Sequence, residues 1–117
     1  MDLQLVGMTD TYLHYKCCGD YSLKEGEQLL QKIYNTCLKY KVKSVLVDIT
    51  EKNGHIPDVH RFLLGKFIAQ LYSYKIKIAV IGRRDEINKF SEDVAINRGG
   101  RLLVTADKDE AVVWLRN

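Results

Sequence analysis

The stretch SVLVDITEKNGHIPDVHRFLLGKFIA, Ser44 to Ala69, decides how the rest of the chain is parsed. Its first part, Ser44 to Thr50, sets Val45, Leu46, Val47 and Ile49 in a nearly unbroken apolar run, the pattern of a central strand covered on both faces, with Asp48 as the interruption near its end. Glu51 to Ile56 reads as a polar loop carrying Asn53, Gly54 and His55, and Pro57, the only proline, suits the first turn of a helix. That helix extends to about Tyr74. Its apolar residues Leu63, Leu64, Phe67, Ile68, Leu71 and Tyr72 cover much of the circumference and leave Lys66, Gln70 and Ser73 as a narrow polar stripe, so it is expected to be covered on more than one side. Gly65 and Ala69 form a small-residue strip that admits a close backbone, either the sheet or a second subunit.

Toward the C-terminus, Ile76 to Gly82 is a second continuous apolar strand, followed at once by Arg83 and Arg84. Asp85 is placed to cap a third helix with Ile87, Phe90, Val94 and Ala95 on one face, stopped by Gly99 and Gly100. Arg101 to Thr105 is the last strand, and Asp107 caps a closing helix that turns Ala111, Trp114 and Leu115 inward. Toward the N-terminus, Leu3 to Met8 and Tyr12 to Cys17 form a hairpin about Thr9 and Asp10, with Leu13, Tyr15 and Cys17 on the face to bury and Tyr12, His14 and Lys16 on the other. Ser22 and Glu25 make a capping box that opens a helix from about Leu23 to Tyr40, with Cys37 on its apolar stripe. The order β-β-α-β-α-β-α-β-α predicts one α/β domain, a mostly parallel sheet with an N-terminal hairpin and flanking helices.

Composition fits this. The chain has 117 residues and 46% hydrophobic content, enough for one core, and its charge of +3 from 18 basic and 15 acidic residues is spread along the whole length. Nucleic-acid binding would need a local basic patch, and the densest group, Lys39, Lys41 and Lys43, sits where a helix end favours lysine; no nucleic-acid partner is expected. Three cysteines, two of them adjacent at Cys17 and Cys18, show neither a disulfide framework nor ligand spacing, so a reducing, cytoplasmic setting without metal or cofactor is expected. MDLQLVGMTD does not read as a signal peptide, and no apolar run is long enough to span a bilayer.

In parallel sheets, ligands gather beyond the carboxyl ends of the strands. Here that edge comprises Asp48 to Pro57, Gly82 to Asp85 and Thr105 to Asp107. The candidate binding residues are Asp48, Thr50, His55, Pro57, Asp58, His60, Arg83 and Arg84. His60 falls on the buried side of its helix and His55 in the loop, so the two are open to approach by each other and by Asp48, while the two arginines are suited to an anion. No nucleophile, base and orienting group share a recognisable spacing, and no catalytic residue is assigned.

VLVDIT before the loop, RFLLGKFIA, KIAVIG, FSEDVAINRGG and the terminal DKDEAVVWL together resemble the SpoIIAA-like branch of the STAS superfamily, which includes anti-sigma-factor antagonists and cytoplasmic domains of sulfate transporters. The resemblance covers most of the chain and implies a noncatalytic regulatory domain that docks a protein partner through the loop after Thr50 and the first turns of the following helix. In phosphoregulated members a serine at the start of that helix accepts phosphate. This chain reads Ile56, Pro57, Asp58, Val59, His60 there, with no serine or threonine. Two other readings stand beside it: a small apolar or lipid-like ligand under the second helix, and a hydrolase of an anionic substrate built on Asp48, His55 or His60 with Arg83 and Arg84. An exposed hairpin edge and the Gly65–Ala69 strip also leave a homodimer open.

Overall fold

In the computed structural model, which describes residues 1–117, five strands lie side by side in chain order: β1 (Asp2–Met8), β2 (Leu13–Asp20), β3 (Ser44–Asn53), β4 (Lys77–Ile81) and β5 (Leu102–Thr105). β1 is antiparallel to β2, and every later pair is parallel. Parallel neighbours need crossovers of one hand, and because each step moves in the same direction along the sheet, each crossover helix lands on the same face. Accordingly α1 (Leu23–Tyr40), α2 (Asp58–Tyr72) and α3 (Phe90–Asn97) share one side, and α4 (Lys108–Arg116), which follows the last strand, covers the other.

The alternation of β3 shows both cores directly. Val45 and Val47 belong to the cluster beneath α1 to α3, together with Leu13, Tyr15, Ile33 and Tyr72. Leu46 belongs to the smaller cluster with Ala79, Ala111 and Leu115 beneath α4. The hairpin buries the expected face, Leu13, Tyr15 and Cys17, and Tyr12 is buried as well. Ser22 caps α1 as expected, with Glu25 N donating to Ser22 Oγ at 3.2 Å, but the Glu25 carboxylate accepts from the Ser22 hydroxyl at 3.0 Å rather than from its backbone N–H, so the box is half formed. Burial pushes the Cys37 thiol up to about 11, in keeping with a packing role.

Four expectations are corrected. β3 does not end at Thr50: it continues to Asn53, because the far end of β2 pairs with Glu51, Lys52 and Asn53. α2 stops at Tyr72, where Ser73 adopts φ 54°. Asp85 does not cap α3. It lies in a 3-10 turn, Arg84–Glu86, and α3 starts later, leaving Phe90 exposed rather than on the apolar face. The Gly65–Ala69 strip meets neither the sheet nor a second subunit but α3 and the segment after it: a Cβ on Gly65 would lie 2.5 Å from Ser91 O, and one on Gly100 3.1 Å from Ala69 Cα. β1 is the sheet edge, and Leu5, Val6 and Met8 on it are exposed.

Candidate functional site

The carboxyl edge of the sheet is shaped by a bulge in β3. Lys16 pairs with Asp48 and Cys18 with Glu51, so β3 uses one residue more than β2 over this interval. Asp48 pins the bulge: its Oδ1 accepts from Thr50 N at 2.9 Å and from Thr50 Oγ1 at 2.6 Å. Two residues beyond Leu46, Asp48 projects onto the α4 side of the sheet, away from α2 and His60. The proposed approach of Asp48 to the histidines is therefore blocked by the sheet itself.

Beyond the bulge, Lys52 turns to the α2 side and is only 3% exposed. Its Nζ donates to Gly54 O at 2.7 Å and to Glu86 Oε2 at 3.3 Å. Arg61, in the first turns of α2, is buried too, with Nε donating to Ile56 O at 3.1 Å and Nη2 to Glu86 O at 3.3 Å. Two buried cations thus tie the loop after β3 to the turn after β4. The Arg83 guanidinium, 2.7 Å from Glu86 Oε1, holds the Glu86 carboxyl below its usual range; burial opposes this and Lys52 adds to it. Arg83 is accordingly committed to an ion pair, and Arg84 is exposed on the 3-10 turn, so the two do not form an open anion clamp.

His60 meets Tyr21, with Nδ1 3.2 Å from the phenolic oxygen and ring centroids 5.7 Å apart, and burial raises the Tyr21 hydroxyl. His55 is exposed in the loop. Pro57 is the N-cap residue of α2, and Asp58 in the first turn accepts from Asn88 Nδ2 at 3.2 Å, which fixes its carboxylate at the positive end of the helix. Val59 beside it is 69% exposed. No group of three or more His, Cys, Asp or Glu side chains is placed to hold a metal.

Between the sheet and α1 and α2 lies a cavity of about 120 Å³, sixteen of whose twenty lining residues are apolar. Its walls include Leu30, Ile33, Val47, Leu64 and Ile78, and Tyr21, Lys52 and Arg61 also line it. Phe62 and Tyr72 do not fill this space. Phe62 packs under the Arg98 guanidinium, 5.1 Å from its ring centroid, and Tyr72 donates its hydroxyl to Leu30 O at 2.8 Å. At the opposite end of the sheet, Lys41 and Lys43 are joined by Lys75 and Arg101 around a wider groove of about 600 Å³.

Sequence reasoning missed Lys52, Arg61, Glu86 and Tyr21. The bulge hid Lys52 by shifting the strand's alternation, whereas Arg61 was legible from its spacing of four and seven residues to Gly65 and Ile68 on the buried stripe.

No family model and no curated protein sequence matches this chain. Among solved structures, the chain is similar to the crystal structure of an anti-sigma factor antagonist from Mycobacterium paratuberculosis, with a TM-score of 0.62 and 12% identity over 99% of this chain and 96% of that one. The fold is thus the STAS-like fold of the anti-sigma-factor antagonists.

Proposed function

From a STAS-like fold whose carboxyl edge lacks a catalytic constellation, we propose that this chain is a noncatalytic regulatory domain, acting in the cytoplasm, that docks a protein partner through the β3–α2 junction. The observation that supports this reading is the first turn of α2, where Pro57, Asp58 and Val59 stand exposed while Asn88 and the buried Lys52 and Arg61 hold the surrounding loops in place. A rigid exposed apolar residue beside a fixed carboxylate suits protein recognition. Residues 51–60 contain no serine or threonine, so the junction offers no hydroxyl of the kind that accepts phosphate in the phosphoregulated proteins it resembles. Thr50, whose hydroxyl is bound to Asp48, serves the bulge instead. The test is a photo-crosslinker at Val59, with Val113, 59% exposed on α4, as control. A partner captured at Val59 and not at Val113 supports the reading; a folded bait that captures nothing at Val59 ends it. Self-association through the exposed β1 edge is a further part of the proposal: sedimentation should show a dimer that Val6→Lys abolishes, and a parent protein that stays monomeric ends this part.

The unfilled cavity favours a second reading, a small apolar or amphipathic ligand between the sheet and α1 and α2. Native mass spectrometry of freshly purified protein would show a mass above that of the polypeptide. A third reading, a hydrolase of an anionic substrate, would rest on His55 or His60 with Arg84, since Asp48 lies on the other face and Arg83 is paired with Glu86.

A further inference from the structure

We propose that the cavity between the sheet and α1 and α2 binds a small anionic amphiphile, a short-chain carboxylate whose chain lies among Ile33, Leu64 and Ile78 and whose head meets Arg61 and Lys52. This rests on the second reading above, that the cavity holds a ligand, and adds what kind.

The polar end of the cavity carries the argument. Arg61 is only 9% exposed, yet the groups that receive its hydrogen bonds are carbonyl oxygens, those of Ile56 and Glu86, and no carboxylate pairs with it. Lys52 is buried beside it and shares the Glu86 carboxylate with Arg83. One carboxylate thus serves Lys52 and Arg83 and none serves Arg61, and the two buried cations, Arg61 and Lys52, also line a mostly apolar space. A buried guanidinium without an anion is costly, and a carboxylate head supplies the missing charge in a geometry the guanidinium fork is built to accept. A cationic head would meet repulsion from both residues, and a neutral head would leave the imbalance in place.

Topology orients the ligand. Lys52 is the last residue but one of β3, Tyr21 follows β2, and Arg61 lies in the first turns of α2, so the polar lining sits at the carboxyl edge of the sheet. Leu30, Ile33 and Ile78 lie deeper, along the helices and the strand interior. The chain therefore points into the domain and the head toward the edge. At about 120 Å³ the space is slightly smaller than an engineered apolar cavity of ~150 Å³ that admits benzene, so a tail of about five carbons, that of hexanoate, is the upper size it suits.

The experiment is an amide chemical-shift titration of the full chain with hexanoate, 1-hexanol and hexylamine. Hexanoate is expected to bind on the order of tenfold more tightly than hexanol, the low end for a hydrogen bond to a charged group, with shifts centred on Lys52, Gly54 and Arg61. Hexylamine is expected to bind more weakly than either. Arg61→Gln should bring hexanoate down to the affinity of hexanol and leave hexanol unchanged. Lys52→Met carries the same expectation, and because Arg61 and Lys52 both tie the loop to the turn, the unchanged hexanol affinity in each variant is the control that the cavity is intact. Leu64→Phe, which fills the chain site, should weaken both ligands. Equal affinity for hexanoate and hexanol, both lost in Leu64→Phe, would overturn the anionic head while leaving a ligand cavity standing. Tighter binding of hexylamine would overturn the head as well. If none of the three shifts any amide lining the cavity, the head and the ligand reading fall together.

Discussion

The two faces of the sheet are packed by different means. The α1–α3 face joins thirteen buried residues, among them the largest fully buried side chains, Tyr72, Leu13 and Ile33, and still leaves an unfilled, partly open cavity. The α4 face joins six, and Ala79 on the sheet and Ala111 on the helix, both 0% exposed, let the helix lie close. The difference follows from what α2 packs against. Its small-residue strip is pressed on α3, where a Cβ on Gly65 would fall 2.5 Å from Ser91 O, whereas one on Gly26 of α1 would meet Leu64 at an ordinary 3.6 Å. α2 is tied sideways to one neighbour more closely than to the other, and the space left between α1, α2 and the sheet is where the buried cations lie. A single helix on small residues has no such competing demand.

The largest expected effect tests whether the bigger face is tightly packed away from its cavity. Tyr72 is 0% exposed, bonds Leu30 O and stacks near Tyr34 with centroids 5.6 Å apart. Tyr72→Ala should cost about 3–5 kcal/mol in denaturant unfolding. A loss nearer 1 kcal/mol would mean that the whole face is loose, and the comparison would lose its basis. Adding volume to each face sharpens it further. Ala111→Leu, against the dry contact under α4, should cost about 1–3 kcal/mol by overpacking, while Leu64→Phe, toward the cavity, should leave stability within about 1 kcal/mol of the parent or raise it. Equal losses would show that the cavity does not accept a side chain.

The apolar periodicities that built both faces were legible in the sequence, because strands and helices with one dominant burial pattern announce themselves. Ser44 to Val47, the Ser22 cap and the α4 stripe needed no tertiary information. The carboxyl edge was less legible. Lys52 reads as a loop residue until the bulge at Asp48 is known, and a bulge depends on how two strands pair, not on one strand's composition. Phe90 reads as core, but Asn88, which accepts from its backbone N–H at 2.8 Å, sets the start of α3 so that the ring points out. Of the candidate residues, Asp58 and His60 fall on the α2 side and Asp48 and Thr50 serve the bulge; of the two cations that line the cavity, Arg61 follows the buried stripe of α2, whereas no local pattern singles out Lys52.

Glu86 links the edge of the larger face to pH. The Arg83 guanidinium holds the folded Glu86 carboxyl below the ordinary glutamate value, so the charged form is favoured by folding. The stability it contributes is complete above about pH 4.5 and is lost as pH falls through the lower, folded value. Glu86→Gln should therefore lower stability near pH 7 and matter progressively less below about pH 4.5, flattening the acid limb of the stability profile. An unchanged acid limb would remove Glu86 as the anchor of Lys52 and Arg83, and with it the account of why this edge is rigid.

The smallest effect compares the helix caps on the two faces. Ser22 opens an eighteen-residue helix and Asp107 a nine-residue one, and the Asp107 carboxylate accepts from Asp109 N at 2.9 Å and Glu110 N at 3.3 Å. Replacing either with alanine should cost about 0.5–1 kcal/mol, the lower part of the range for a lost cap. The global losses should be alike, but the local ones should not. α1 has four further turns and a second tie through the terminal amine on Glu25, 3.0 Å away, so fraying of its first turn stops early. α4 has too few residues to hold helical structure without its packing, and Ala111, its first buried contact, lies only four residues past the cap. Hydrogen exchange in Asp107→Ala should therefore accelerate from Asp109 through Ala111, into the contact with Ala79, whereas in Ser22→Ala it should remain confined to the first turn. If both variants fray equally far, the α4 face is held by more than its close fit, and the contrast between the two faces is one of size alone.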